Sequence, residues 1–280
     1  MRTAGGALLA LVLSSTAAPA LAEEPVAFWG EDWKEAKRRA AAEGRPLLVD
    51  FAAEWCGPCK AMDEKFWPRD DVRAAAERFV RVRLDFDRPN EASRRFWITS
   101  IPAVLVLDPW SNLLGREIGY GGARKHLELL AKVPADFAPV ADDSLAAAEE
   151  RADGAALLRL GEHYIALGLP SASNFFLEQA LAAKDLKSES SRRADALVAV
   201  GLNHLMLGDA EKARRALEKA FDSGDGPGRA DEGLFGLVVA WCRLGKAKRA
   251  EKALDELRRR YPASPAVAAG DKFLASSCGG

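Results

Sequence analysis

Apolar and polar positions follow two different periods in the first half of the chain. Residues 47–51 form an apolar run interrupted by one aspartate, and residues 79–86 alternate between apolar and polar side chains, as β-strands do. Residues 32–43 are rich in alanine and charged side chains and end at Gly44, which is typical of a helix. Further strands are predicted at residues 101–108 and 113–118, and further helices after residue 56, over 90–97 and over 123–132. This order of elements predicts one α/β sandwich.

The pattern changes beyond residue 153, where helix-forming residues predominate and the sequence repeats. The recurring positions are Leu157, Gly161 and Tyr164 in the first copy and Leu197, Gly201 and His204 in the second. The second copy follows the first by 40 residues, and a third follows 37 residues later. Each copy predicts two apolar helices around a Leu-Gly turn, which resembles degenerate tetratricopeptide repeats. About three such units are near the minimum that buries a continuous core, so an all-α helical-repeat domain is predicted.

Changes in composition give the predicted boundaries. Pro134, Pro139 and a polar stretch indicate a linker, and the last residues are expected to fray. The predicted segments are a signal peptide over residues 1–22, an α/β domain over 23–133, a linker over 134–153, helical repeats over 154–269 and a flexible tail over 270–280.

The first residues have the features of a secretory signal peptide. Arg2 precedes an apolar stretch over residues 7–12, and residues 20–22 match the small-x-small pattern, so cleavage is predicted after Ala22. A short membrane anchor is the alternative, although serine, threonine and proline residues interrupt the run before it reaches spanning length. Export to the periplasm, where disulfide chemistry is in demand, is therefore expected.

The charge balance argues against a polyanionic partner. The 280 residues include 40 Lys and Arg against 41 Asp and Glu, which leaves a formal net charge of -1. A chain of this length can form two domains. Neither nucleic acid nor a charged membrane surface is predicted as a partner.

The candidate chemistry lies in residues 55–60, with the sequence Trp-Cys-Gly-Pro-Cys-Lys. A predicted strand leads to Cys56 at the start of a predicted helix, where unpaired backbone N–H groups and the helix dipole favour a thiolate. Cys59 follows by three residues and is within reach of a disulfide, while Pro58 suits the first helical turn. Cys56 is expected to be the more exposed cysteine and to react first.

With this motif, the order of elements over residues 26–133 resembles the thioredoxin fold, a mixed sheet flanked by helices. The entry helix, the first strand and the Phe-Trp-Pro segment that follows are most similar to the C-terminal domain of the thiol reductase DsbD and to secreted thioredoxin-like proteins. The resemblance implies a buried acid at Asp50, a basic residue at Arg83 and a cis bond between Ile101 and Pro102, facing the cysteine pair. A reductase in an oxidising compartment needs a supply of electrons from the membrane, so a membrane thiol reductase is predicted as the electron donor.

The expected reaction is disulfide exchange. The Cys56 thiolate attacks a client disulfide, and Cys59 then resolves the mixed disulfide after losing its proton to Asp50. The client is expected to contact Trp55, Gly57 and Pro58, and to pair with the backbone at Ile101 and Pro102 as an added strand. Lys60 and Arg83 are expected to support the site electrostatically.

Plainer roles remain open for some of these residues. Asp50 could be an ordinary polar residue near a strand end, and Arg83 is more simply explained as a solvated strand residue. Pro102 could simply open an edge strand. The Cys pair could also be half of a zinc site, but no second Cys pair exists, and neither a metal nor a cofactor is predicted.

The remaining cysteines and histidines carry weaker signals. Cys242 is expected to be a buried apolar cysteine in a repeat helix. Cys278 could be a free thiol, a partner of Cys242 or a link between two chains. Packing or capping is expected for the three histidines, His126, His163 and His204.

Two hypotheses of different classes follow. The first is an exported thiol:disulfide oxidoreductase that reduces or exchanges disulfides in client proteins, with repeats that bind partners. The second is a chaperone or protein-interaction adaptor in which the thioredoxin domain is mainly a scaffold.

Overall fold

The computed structural model describes residues 28–88, 90–222 and 228–278. The predicted signal peptide over residues 1–22 lies outside them. A mixed sheet lies in the N-terminal region, residues 28–133, and a helical array forms the C-terminal region, residues 141–278. The predicted order of an α/β fold followed by a helical region is therefore confirmed.

The sheet has four strands in the order β2-β1-β3-β4. The strands are β1 (Leu47–Ala52), β2 (Val80–Asp85), β3 (Ala103–Leu107) and β4 (Leu113–Ile118). The central strand β1 pairs in parallel with β2 and antiparallel with β3, and β4 is an antiparallel edge. Asp50 lies opposite Arg83 on one side and Val104 on the other. The mixed sheet implied by the thioredoxin resemblance is thus present.

Five helices surround this sheet in the described part of the N-terminal region. They are α1 (Trp33–Glu43), α2 (Gly57–Lys65), α3 (Asp70–Ala76), α4 (Glu91–Arg95) and α5 (Ala123–Lys132). Asp32 caps α1, because its carboxylate accepts the backbone N–H groups of Lys34 and Glu35. Gly44 ends α1 with a φ of 62°, a left-handed conformation that glycine adopts without a steric penalty.

The two faces of the sheet bury different helices because successive side chains on a strand point to opposite sides. Leu47, Val49 and Phe51 of β1 belong to a cluster that includes buried residues of α1 and α4. Leu48 belongs to a second cluster with residues of α2, α3 and α5. Asp50 shares the strand parity of Leu48, so it lies on the α2 side of the sheet.

Beyond residue 140 the described chain contains helices and turns but no strand. The helices are α6 (Ala141–Ala148), α7 (Gly154–Ala166), α8 (Pro170–Ala182), α9 (Ser190–Met206), α10 (Ala210–Phe221), α11 (Ala230–Arg243), α12 (Ala247–Arg260) and α13 (Pro265–Ser277). Pairs α7/α8, α9/α10 and α11/α12 are joined by Gly168, Gly208 and Gly245, whose φ angles are 71°, 83° and 68°. The repeated Leu-Gly motif therefore marks repeated left-handed turns.

Glycine also lets the first two helix pairs pack closely. A Cβ atom on Gly161 would lie 2.5 Å from the side chain of Leu177, and one on Gly201 would lie 2.5 Å from that of Leu217. The same small-to-large contact thus recurs between α7 and α8 and between α9 and α10.

The two regions share one core. A single buried cluster contains Val104 and Leu114 of the sheet together with Leu160, Tyr164 and Phe176 of α7 and α8. Polar contacts accompany it, because the buried side-chain amide of Asn112 donates to Asp108 Oδ2 at 2.8 Å and to the Ser144 carbonyl at 2.9 Å. The C-terminal region therefore packs directly against the sheet.

Two predicted segments are wrong. Residues 134–153, predicted as a linker, contain α6 and a 3-10 turn over Ala138–Val140, and Phe137 and Val140 are buried in the shared core. The predicted flexible tail from residue 270 instead continues α13 to Ser277, because apolar side chains of this helix pack against α11 and α12.

Candidate active site

The cysteine pair lies at the start of α2, directly after the central strand. Cys56 is the N-cap of this helix, its N–H donates to the Ala53 carbonyl at 3.1 Å, and Pro58 lies in the first turn. Cys59 and Met62 are on the buried face of α2. The loop after β1 therefore places Cys56 where the sequence predicted it.

Cys56 and Cys59 form a disulfide with their Cα atoms 5.2 Å apart. The Cys56 sulfur also accepts the backbone N–H of Cys59 at 3.2 Å. A donor in this position, at the positive end of a helix, stabilises a thiolate when the pair is reduced. The expectation that Cys56 is the more exposed cysteine is wrong in this oxidised form, since each residue is 3% exposed. Closing the ring holds Cys56 against Cys59 on the buried side of the helix.

Asp50 is a buried carboxylic acid beneath α2. It is 1% exposed, and burial raises its pKa to about 6, although the charge and hydrogen bonds of Arg83 oppose this rise. Asp50 Oδ1 has no hydrogen-bond partner among the described residues. An acid with a pKa in this range can accept and release a proton near neutral pH. The plain polar reading of Asp50 is therefore disfavoured.

Arg83 binds two carboxylates at once. Its Nε and Nη2 lie 2.8 and 2.7 Å from Asp50 Oδ2, and Nη2 lies 2.5 Å from Asp63 Oδ1 on α2. The guanidinium also lies over the Trp29 ring, 5.0 Å from its centre. The simpler expectation of a solvated strand residue is wrong for Arg83, because β2 points this side chain under α2.

Sequence reasoning missed Asp63. Its position four residues after Cys59 places both side chains on one face of the helix, and that spacing was the available signal. What it contacts depends on the strand pairing that brings Arg83 beside Asp50, which no local pattern reveals.

The surface beside the disulfide is formed by the remaining residues of the motif. Trp55 is 63% exposed, and its indole N–H donates to Asp87 Oδ2 at 2.8 Å. Gly57, Pro58 and Lys60 are also exposed. These residues thus form one continuous exposed segment around the buried pair.

The Ile101–Pro102 peptide bond is cis, as the resemblance implied. Pro102 is buried, and its carbonyl accepts the N–H of Gly119 at 2.7 Å. Within the described residues, no hydrogen bond or disulfide joins Ile101 or Pro102 to the cysteine pair. Trp97, four residues before Ile101, is 82% exposed and has a φ of 51°.

The other two cysteines form a second disulfide. Cys242 of α11 and Cys278 after α13 have Cα atoms 4.7 Å apart and are separated by 36 residues. Cys242 is buried in a repeat helix as expected, but it is not a free cysteine, and the open choice for Cys278 resolves to a partner of Cys242. Local sequence could not reveal this pairing because it depends on how α13 packs back on α11.

The histidines belong to packed helices. His126 is buried against Phe66 and Tyr120, and burial lowers its pKa. Burial also lowers the pKa of His163 and of His204.

Within residues 28–88, 90–222 and 228–278, no cluster of three or more His, Cys, Asp and Glu side chains could hold a metal ion. In the same ranges, no helix has the length and apolar character needed to cross a bilayer.

A disulfide of the Cys-x-x-Cys type at the start of the helix after the central strand, above a buried acid, defines a thiol:disulfide oxidoreductase. Residues 28–109 match the profile of the thioredoxin-like family. A thioredoxin from Echinococcus granulosus is 35% identical over 82 residues, which cover 29% of this chain and 69% of that protein. The chain belongs to the thioredoxin family.

Two further proteins resemble this chain, one over a small part of its own length and the other at lower sequence identity. The thiol:disulfide interchange protein DsbD of Ralstonia nicotianae is 33% identical over 103 residues, which cover 35% of this chain but only 17% of that protein. The solution structure of a thioredoxin from Thermus thermophilus is 27% identical and covers 36% of this chain and 83% of that one, with a TM-score of 0.34.

Proposed function

We propose that this chain is an exported oxidoreductase that reduces or exchanges disulfides in client proteins by cycling Cys56 and Cys59 between dithiol and disulfide. The observation that carries this proposal is the Cys56–Cys59 disulfide at the N-cap of α2. The bond closes within the first turn of α2, because the two cysteines are three residues apart. The thiol:disulfide activity is that of the family; the clients and the direction are part of the proposal.

The reaction moves two electrons from the dithiol to the client. The Cys56 thiolate attacks one client sulfur, a Cys56–client bond forms, and the other client sulfur leaves as a thiolate that takes up a proton. Asp50 then accepts the Cys59 proton, and the Cys59 thiolate attacks Cys56 and releases the second client sulfur. Asp50 suits this task because burial raises its pKa to about 6, although Arg83 opposes part of this rise. Lys60 is proposed to add positive charge near the start of α2.

The client is proposed to lie over the exposed part of the motif. Trp55, Gly57 and Pro58 offer an accessible surface beside the disulfide. Half-buried Ile101, before the cis bond to Pro102, is proposed to pair with the extended backbone of the client. An added strand supplies affinity through main-chain hydrogen bonds, so clients of different sequence could be accepted.

The C-terminal region is proposed to be a tetratricopeptide-like array that binds partners. Three helix pairs joined by equivalent glycine turns support this reading. The proposed domains are residues 23–133 for the thioredoxin part and residue 154 to the end of α13 for the repeats.

Export and the electron source are further parts of the proposal. The sequence of residues 1–22 supports a cleaved signal peptide and a periplasmic location. A reductase in an oxidising compartment must be reduced again after each turnover. We therefore propose a membrane thiol reductase as the electron donor.

The test is reduction of insulin by the full chain with dithiothreitol as the reductant. The wild-type protein should accelerate it, Cys56→Ser should fall to the uncatalysed rate, and the double variant Cys242→Ser/Cys278→Ser should remain active. The double variant is the matched control, because it removes a disulfide outside the site. A wild-type rate equal to that of Cys56→Ser would contradict the proposal.

A chaperone or adaptor role is the second candidate, supported by exposed apolar side chains in the C-terminal region. Leu167, Phe175, Met206 and Leu207 are each 40% to 60% exposed. Suppression of client aggregation that is equal in wild type and Cys56→Ser, with no insulin reduction by either, would favour this candidate over the oxidoreductase.

A further inference from the structure

The Arg83 guanidinium is fixed from three directions. Asp50 Oδ2 accepts from its Nε and lies 2.7 Å from its Nη2 as an ion pair, and Asp63 Oδ1 accepts from the same Nη2 at 2.5 Å. The Trp29 ring lies against the guanidinium plane at 5.0 Å from its centre. Arg83 therefore forms ion pairs with two carboxylates, Asp50 in the sheet and Asp63 on the helix that carries the cysteines.

The two carboxylates differ in their surroundings. The Asp50 side chain is 2% exposed, whereas that of Asp63 is 44% exposed, and Arg83 lies between them at 27%. Asp63 can thus remain ionised in contact with water, while Asp50 depends on Arg83 for its compensating charge. The contact of Arg83 with Asp63 therefore weakens the stabilisation that its positive charge gives to the Asp50 carboxylate.

We propose that Asp63 is a positioning residue for the cysteine chemistry: by binding Arg83 it limits the positive charge that reaches Asp50 and keeps this acid able to accept a proton from Cys59. This role rests on the proposed function, since it concerns the resolving step of disulfide exchange. Among the described residues no hydrogen bond joins Asp63 to either sulfur, so it acts on Asp50 through its contact with Arg83 and through its own negative charge.

The charges around Asp50 give the sign of the effect. The charged groups that act on it are Arg83 from β2, which lowers its pKa, and Asp63 from α2, which raises it. The facing residue on β3 is the apolar Val104. Removing the charge of Asp63 removes a repulsion and also leaves Arg83 with Asp50 as its only carboxylate. Both changes lower the pKa of Asp50 and make it a weaker base.

Asp63→Asn is the variant of choice because it keeps the size of the side chain. Glu64→Gln is the matched control: it removes one negative charge from the next position of the same helix, where the side chain is exposed and has no ion pair with Arg83. Asp63→Glu keeps a carboxylate and should restore the wild-type behaviour.

The kinetic measurement uses the reduced full chain and Ellman's reagent. Cys56 releases the first thionitrobenzoate as it forms a mixed disulfide, and Cys59 releases the second as the Cys56–Cys59 bond closes. The rate of the second release falls at low pH as Asp50 becomes protonated. In Asp63→Asn the midpoint of this fall should move down by about half a pH unit to one unit, and in Glu64→Gln it should not move.

A second measurement needs no activity. The carboxyl carbon of Asp50 is followed by NMR in the oxidised protein as the pH is changed, and its midpoint should be lower in Asp63→Asn than in wild type or Asp63→Glu. An unchanged or higher midpoint overturns the role of Asp63. If the midpoint shifts as expected but the wild-type protein reduces no insulin, the proposed function fails and only the electrostatic contact survives.

Discussion

The molecule holds two disulfides in contrasting surroundings. Cys56 and Cys59 are three residues apart at a helix N-terminus, beside a buried carboxyl and an arginine. Cys242 and Cys278 are 36 residues apart and join two helices within an apolar cluster. The same covalent bond therefore serves different ends: proton-accepting neighbours suit the first pair to exchange, whereas a long closed loop suits the second to hold α13 in place.

Opening the second disulfide should have the largest effect on stability. Closing a loop of 36 residues restricts the unfolded chain, so the double variant Cys242→Ser/Cys278→Ser should lose about 3–4 kcal/mol of local stability. Hydrogen exchange of the amides in α11 and α13 measures it. The control is Cys56→Ser/Cys59→Ser, whose loop is far shorter and whose loss should be smaller. Equal exchange rates in α13 with and without the Cys242–Cys278 disulfide would show that this disulfide does not hold α13 in place.

Asp50→Asn should stabilise the protein at neutral pH. The folded pKa of Asp50 is about 6 against an ordinary 3.8, so its favourable contribution is complete below about pH 4 and is lost as the pH rises through 6. Replacing it should add about 2–3 kcal/mol above pH 6 and nothing below pH 4. Urea unfolding across this range measures the difference. Destabilisation at neutral pH would contradict the raised pKa.

The two disulfides should also open at different strengths of reductant. The helix N-terminus stabilises the Cys56 thiolate, while Cys242 is buried among apolar side chains. Cys56–Cys59 should therefore open at about tenfold less reducing ratios of dithiothreitol, as measured by maleimide labelling and peptide mass spectrometry. If Cys242–Cys278 opens first, the assignment of the two roles is reversed.

Trp55→Ala should have the smallest effect on stability. Because this side chain is 63% exposed, the free energy of unfolding should change by no more than about 0.5 kcal/mol. The lost aromatic contact should raise the KM for insulin about fivefold. Trp97→Ala, a comparably exposed tryptophan outside the motif, is the comparison. An unchanged KM in Trp55→Ala would remove Trp55 from the client surface.

Local sequence signals predicted much of the first site. The apolar run of β1, Pro58 in the first helical turn and the Cys-x-x-Cys spacing are all local patterns, and they place Cys56 at the N-cap of α2. The cis bond before Pro102 followed from family resemblance. The strand, the helix start and the cysteine spacing could be predicted because short segments of chain determine them, whereas the cis bond needed the resemblance.

What could not be predicted depends on contacts between distant segments. Two roles stayed open for Arg83, a solvated strand residue or a support of the site. Strand register decides between them, because it places Arg83 opposite Asp50. The pairing of Cys242 with Cys278 needs the path of α13, and the burial of Phe137 needs the neighbouring α-helical surface. Residues 134–153 have few apolar positions and two prolines, so they resemble a linker in sequence. Their burial depends on the distant surface against which Phe137 packs.

The core shared by the sheet and by α7 and α8 has a mechanical consequence. With Asn112 bound to Ser144 and Leu114 packed in one cluster with Tyr164, no tether separates the two halves. If the first helix pairs bind a client protein, the shared core fixes the distance and orientation of that client relative to the cysteine pair. A flexible linker would instead leave both to vary. The molecule would then select among client disulfides by their distance from the segment that the helix pairs bind.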